Sequence, residues 1–146
     1  MSTYTQIFLR KNDTFMEVSC TGSSAAISEM FSGAPWEKIR HYTGADLHSI
    51  YLEYADELKK WEKYLARLNE RKALIPTFNN SIDEKMEQLA EYDGSIDEVN
   101  ETMDELRYAL ARVDWLIDIA NDCYNGIEVY VGKEVGENIT EETIEK

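Results

Sequence analysis

Two long stretches of this chain repeat apolar residues at helical spacing, and a shorter stretch ahead of them reads as strands. Leu47, Tyr51, Tyr54, Leu58, Trp61, Leu65 and Leu68 follow one another at steps of 4, 3, 4, 3, 4 and 3. That is a heptad seam, the pattern by which one helix face meets a partner. Thr43 precedes it as an N-cap, and Asp46 three residues on completes an approximate capping box. Pro76 ends it, because proline removes a backbone donor and clashes with the preceding turn. Ser81 and Glu84 form a capping box for a second helix, whose apolar positions include Met86, Leu89, Tyr92, Ile96, Val99, Met103, Leu106, Leu110, Val113 and Ile117. Two consecutive steps of 3 around Leu89 and Tyr92 interrupt this spacing just before Asp93-Gly94. Ser95 and Glu98 offer a second cap there. The pattern predicts a kink or a short break and leaves a full turn open.

Ahead of the helices, residues 4–20 read as a β-hairpin. YTQIFLR and TFMEVSC are rich in β-branched and aromatic residues, and KND between them is turn chemistry. Thr21, Ser23 or Ser24 can cap a short helix ending near Gly33, and Pro35 opens a third strand at about 37–42. The expected class is therefore α+β in a single domain, 1–132. A small N-terminal antiparallel sheet with a short helix (1–42) precedes a long helical hairpin (43–124). GIEVYVG, at 126–132, can add one more strand. Residues 133–146 are polar and acidic and are expected to be a disordered tail.

Charge gives the hairpin its direction. Residues 59–72 carry six basic groups against two acidic ones, and residues 81–107 carry ten acidic groups against two basic ones. A reversal at 76–80 sets the basic end of the first helix beside the acidic start of the second. It also places cations at a helix C-terminus and anions at an N-terminus, each favoured by about 0.3–1 kcal/mol. One apolar seam on a hairpin of about 45 Å buries too little surface alone, so a dimer or larger assembly is expected.

The connection LIPTFNNSIDEK carries more than a turn requires. Phe78 beside Asn79 and Asn80 is either a plug at a helix corner with two capping carboxamides, or an aromatic face and hydrogen-bonding edges for a nucleotide. TGSSA offers Gly22, Ser23 and Ser24 as an anion site at the start of the short helix, although such caps are common without a ligand. Cations that could meet phosphates are Arg10 and Lys11 at the hairpin, Arg40 on the third strand, and Arg107 and Arg112 on the last helix. Each is also an ordinary salt-bridge partner.

Composition narrows the classes. The 146 residues carry a net charge of −14, which argues against sequence-independent nucleic-acid binding through a basic stripe. Cys20 and Cys123 are far apart and form no CxxC or Cys/His cluster, so neither a metal site nor a disulfide framework is expected. No apolar stretch approaches the roughly 20 residues of a membrane span, and no signal peptide is read at the start; a cytoplasmic protein is expected. His41 and His48 lack a GxSxG or HExxH context, and neither GxGxxG nor a Walker A sequence occurs. No enzyme and no cofactor are expected.

The order of these elements carries a resemblance. IFLRKNDTF, a small helix, APWEKI, T-x-x-DL entering a long helix, then TFNNS-x-x-EK and a second long helix resemble the small phage anti-Thoeris sponge proteins over about residues 4–122. Those proteins sequester the cyclic ADP-ribose isomers by which a bacterial TIR-domain enzyme signals infection. The resemblance implies an N-terminal antiparallel sheet, two long helices, dimer-based assembly, and binding without cleavage. It implies that Phe78, Asn79 and Asn80 lie at the ligand, with Arg107 or its rival Arg112 on the diphosphate and Arg10 and Arg40 as further contacts. It also implies a second site, for cyclic oligonucleotides, at Gly22, Ser23 and Ser24, although the arginine expected in that segment is missing here. The C-terminal IEVYV strand and acidic tail look like an addition to the pattern. Two other readings compete. An acidic helical rod could mimic nucleic acid and occupy the basic groove of a defence nuclease, or a coiled-coil adaptor could hold all its aromatics in the seam.

Overall fold

The computed structural model describes residues 5–18, 25–75 and 82–146. Strand β1 (Thr5–Lys11) pairs antiparallel with β2 (Thr14–Val18), setting Arg10 opposite Phe15 and Phe8 opposite Glu17. The turn between them holds Asn12 at φ 57°, a left-handed position that asparagine tolerates better than most residues. Helix α1 (Ala25–Met30) buries Ala26, Ile27 and Met30, and β3 (Ile39–Tyr42) leads into the first long helix. The expected hairpin, short helix and third strand are therefore present.

Helix α2 (Gly44–Leu74) starts on the predicted capping box. Asp46 N–H donates to Thr43 Oγ1 at 3.1 Å, and Thr43 N–H donates to Asp46 Oδ2 at 3.0 Å. Those bonds hold the Asp46 carboxyl below the usual carboxylate range. Helix α3 (Ile82–Asn121) runs back antiparallel to it. Two contacts fix that direction. Lys72 pairs with Asp93 near one end, and the Asn121 side chain lies against Gly44 at the other. The predicted charge register is thus observed at Lys72 and Asp93. The predicted break is not: α3 stays helical through Asp93, Gly94 and Ser95. Tyr92 and Ile96 pack continuously against the α2 seam on either side of the glycine, and this tertiary contact outweighs the roughly 1 kcal/mol that a helical glycine costs. The capping serine Ser81 and the breaker Pro76 lie outside the described residues.

The largest correction concerns the last strand. β4 (Glu128–Lys133) is no appendage: the sheet order is β2-β1-β4-β3, so β4 is central and hydrogen-bonds to β1 and β3. Its residues alternate between two cores. Val129 and Val131 face the helices, in a cluster with Ile7, Leu9, Ile27, Phe31, Leu47, Leu110, Val113 and Leu116. Tyr130 faces outward, with Phe8 and Ile39.

The expected disordered tail is a second correction. Residues 134–146 fold over that outward cluster, with Val135, Ile139 and Ile144 packed on it and a short 3-10 turn at Glu141–Thr143. Buried Gln6 anchors the near end, its Oε1 accepting from the backbone N–H groups of Val135 (2.7 Å) and Gly136 (3.1 Å). At the far end Glu145 N–H donates to Ile39 C=O at 2.8 Å, and Arg40 pairs with the Glu145 carboxylate. The apolar residues spaced through this acidic segment have a sheet face to cover, which composition alone conceals.

Candidate functional site

The sheet sits where α2 begins and α3 ends, so the end of α2 and the start of α3 form the far end of the helical hairpin. Phe78, Asn79 and Asn80, and likewise Gly22, Ser23 and Ser24, lie outside the described residues. The predicted arginines are described, and the fold does not bring them together.

Arg10 lies on the outer face of the sheet. Its Nε donates to Asn12 C=O at 2.8 Å, its NH1 to the Tyr130 hydroxyl at 3.2 Å, and its guanidinium lies 5.3 Å from the centre of the Phe15 ring. Arg40 donates to Gly33 C=O at 2.9 Å and holds the tail through Glu145, whose carboxyl is drawn below the usual range by that hydrogen bond. Arg107 pairs with Asp104 one turn earlier on α3 at 3.2 Å. Arg112 lies over Tyr108 and Trp115, at 5.9 and 5.6 Å from the ring centres. All four guanidinium groups therefore have partners within the chain.

The far end of the hairpin carries a cavity of about 480 Å³. Leu68, Arg71 and Ile75 contribute from the last turns of α2, and Gln88, Glu91, Tyr92 and Ser95 from the early turns of α3. These positions recur at three or four residues on each helix, so each set shares one face. Leu68 and Ile75 are buried and form an apolar wall. Tyr92 is half-buried and packs on the cluster of Leu68, Val99 and Met103. The volume falls within the roughly 300–1,000 Å³ of small-molecule sites. Chemically the lining offers a phenol ring, a guanidinium, a carboxamide, a carboxylate and a hydroxyl.

Arg107 lies about 18 Å farther along α3 than Ser95, at 1.5 Å per residue, and Arg112 lies farther still. Neither lines this cavity. The sequence reading missed Arg71, Gln88, Glu91, Tyr92 and Ser95. A signal for them was available: once Pro76 is taken as the turn, the facing residues of the turns flanking it must line whatever space the corner leaves.

Two other cavities flank the sheet. One of about 320 Å³ lies between the end of α3 and β4, with His41, Cys123 and Glu128 in its lining. His41 Nε2 faces Glu128 at 3.4 Å, and its ring lies 5.2 Å from that of Tyr130. Cys123 is an exposed thiol. Another, of about 600 Å³, lies between Lys38 and the tail. Among the described residues no group of His, Cys, Asp and Glu is placed to hold a metal ion. No described helix is long and apolar enough to cross a membrane.

Compared with known protein families, curated proteins and solved structures, the chain matches no family model, no curated protein and no solved structure.

Proposed function

We propose that this chain is a nucleotide-binding sponge that captures a cyclic ADP-ribose-type immune messenger and holds it without cleaving it, so blocking TIR-dependent signalling. The observation that supports the reading most is the cavity at the far end of the helical hairpin. It is built from the last turns of α2 and the early turns of α3, the helices that flank Phe78, Asn79 and Asn80 in the sequence, and it combines an aromatic ring, a guanidinium and hydrogen-bonding groups on an apolar wall. Those are the elements a base, a ribose and a diphosphate require. The antiparallel pair β1–β2 and the two long antiparallel helices are in keeping with the architecture that the resemblance implies, although the sheet is completed by β4 after the helices.

The mechanism is mass action. A sponge lowers the free messenger below the level that activates its effector, and nanomolar affinity corresponds to about −12 kcal/mol. Enclosure in a pocket with charge-assisted phosphate bonds is the route by which a compact ligand reaches that value. Assembly as a homodimer or a larger oligomer belongs to the proposal. The seam residues Tyr51, Leu58, Trp61 and Leu65 are only partly buried within one chain, and Tyr64, Tyr108 and Trp115 are exposed. A site completed across such an interface could gather Phe78, Asn79, Asn80 and Arg107 or Arg112; Arg10, Arg40 and a second site at Gly22, Ser23 and Ser24 for cyclic oligonucleotides stand as further proposals.

Calorimetric titration with the glycocyclic ADP-ribose isomers, with ADP-ribose and NAD as controls, tests this reading. Tight binding, with intact ligand recovered after heat denaturation, is expected. Absence of heat and of thermal shift with all of these ligands would overturn it.

One observation favours a second reading. Glu84, Glu87, Glu91, Asp93, Asp97, Glu98, Glu101, Asp104 and Glu105 are all exposed on α3. A rod of regularly exposed carboxylates suits an inhibitor that mimics nucleic acid and occupies the basic groove of a defence nuclease. Salt-sensitive capture of a basic nuclease by a chain that binds no nucleotide would favour that reading.

A further inference from the structure

We infer that Arg71 holds the phosphate groups of the ligand in the far-end cavity, and that the basic face of α2 leading to it draws the anion in. The inference rests on the nucleotide-binding reading above and assigns to Arg71 the role that the resemblance implies for Arg107 or Arg112.

The guanidinium groups differ in whether they are already engaged within the chain. Arg10, Arg40, Arg107 and Arg112 are each engaged by a carboxylate, a carbonyl or an aromatic ring within the chain. Arg71 is exposed and lines the cavity, and among the described residues it has no ion-pair partner. Its neighbour Lys72 pairs with Asp93. A guanidinium with its donors unspent matches a diphosphate bidentately.

The surroundings match the rest of a nucleotide. Tyr92 supplies a ring for a base to pack on, held in place by its contact with the Leu68 cluster. Gln88 and Ser95 supply hydrogen-bonding groups of both kinds. Among the described residues Glu91 is the one carboxylate in the lining. It would repel a phosphate placed against it, but an ionised carboxylate accepts from the two hydroxyls of a ribose. A ligand lying with phosphates toward α2 and sugar toward α3 satisfies both charges. The class of ligand is therefore a ribonucleotide with adjacent phosphates.

A net charge of −14 would keep such an anion away at long range. Lys60, Lys63, Arg67 and Arg71 lie at steps of 3, 4 and 4 and are all exposed, so they share one outer face of α2. Lys60 reaches Asp56 at 3.6 Å in an exposed pair; Lys63, Arg67 and Arg71 make no ion pair among the described residues. At physiological salt, charges act over about 8 Å, so this local stripe governs the last approach whatever the total charge.

Calorimetry with the glycocyclic ADP-ribose isomers on five chains tests the assignment. Arg71→Ala is expected to weaken binding by about 10- to 100-fold, the loss of a charge-assisted contact. Arg71→Lys should recover part of that loss, and Arg107→Ala and Arg112→Ala should each lose less than Arg71→Ala. The dependence of affinity on salt should flatten in Arg71→Ala, whereas its melting temperature should not move. Unchanged affinity in Arg71→Ala beside a wild-type chain that binds tightly would overturn the inference and leave the function standing. A tenfold loss in Arg107→Ala or Arg112→Ala with Arg71→Ala unaffected would restore the original assignment. A wild-type chain that binds none of the isomers would overturn both.

Discussion

The two ends of the helical hairpin are built differently. At the sheet end, α2 and α3 are packed by β1, β4 and α1, and the core there includes Ile27, Phe31, Leu47, Val113, Leu116, Val129 and Val131, each at most 1% exposed. At the far end, among the described residues, only the two helices meet. Their shared core shrinks to Leu68, Val99 and Met103, a cavity opens beside it, and Leu74 and Met86 are 54% and 65% exposed. Packing at interior density leaves no room for a ligand, and a cavity forgoes the contacts that would fill it. The contrast teaches that stability and binding occupy opposite ends of one molecule, so substitutions should separate them.

The largest stability effect is expected at the sheet end. Leu47→Ala removes a side chain with no exposed surface and should cost about 2–5 kcal/mol, read as a fall in the denaturant midpoint. An equal loss from Tyr92→Ala, at the cavity, would break the contrast. Gly132→Ala comes next. A Cβ there would lie 2.1 Å from Lys38 C=O and 2.7 Å from a Val135 methyl, so β4 or the chain beside it must move, at about 1–3 kcal/mol. Thr43→Ala deletes the cap where α2 leaves the sheet and should cost about 1 kcal/mol.

The same cap has a pH signature. Asp46 has a folded pKa below its unfolded value, so its contribution is present above the ordinary carboxylate range and is lost as pH falls through the folded value. Asp46→Asn should flatten the acid limb of the stability curve. The smallest effect belongs to the far end: Leu74→Ser, on an exposed side chain, should stay within about ±0.5 kcal/mol by chemical denaturation.

Local rules carried the sequence reading where local chemistry decides the outcome. The Thr43–Asp46 box, the Asn12 turn and the opposed charges of Lys72 and Asp93 all appear as the residue types imply. Gly94 misled because propensity is weaker than the packing of Tyr92 and Ile96 on the facing helix. The rank of β4 was missed because strand order is a property of distant pairings. Even so, the consecutive apolar Val129, Tyr130 and Val131 were a usable sign, since a strand covered on both faces does not alternate. The tail was misread for the same reason: Ile139 and Ile144 matter only once Phe8 and Ile39 present a surface to cover. At the candidate site, aromatic and amide chemistry drew the eye to the connection itself. Arg71 and Tyr92 look like ordinary helix residues until the reversal of the chain sets them face to face.

The central place of β4 has a consequence for how the chain comes into being. β1 and β3 have no direct contact in the sheet; the strand that joins them is the last one in the chain, separated from β3 by both long helices. During synthesis the first hairpin and β3 must wait, with unpaired edges, until both long helices and β4 have emerged. Sheet formation is then a late, long-range event, of the kind that slows folding and leaves strand edges open to aggregation in the interval. The long helices, which nucleate locally, can form during that wait and so bring the last strand back to the place where the first ones stand.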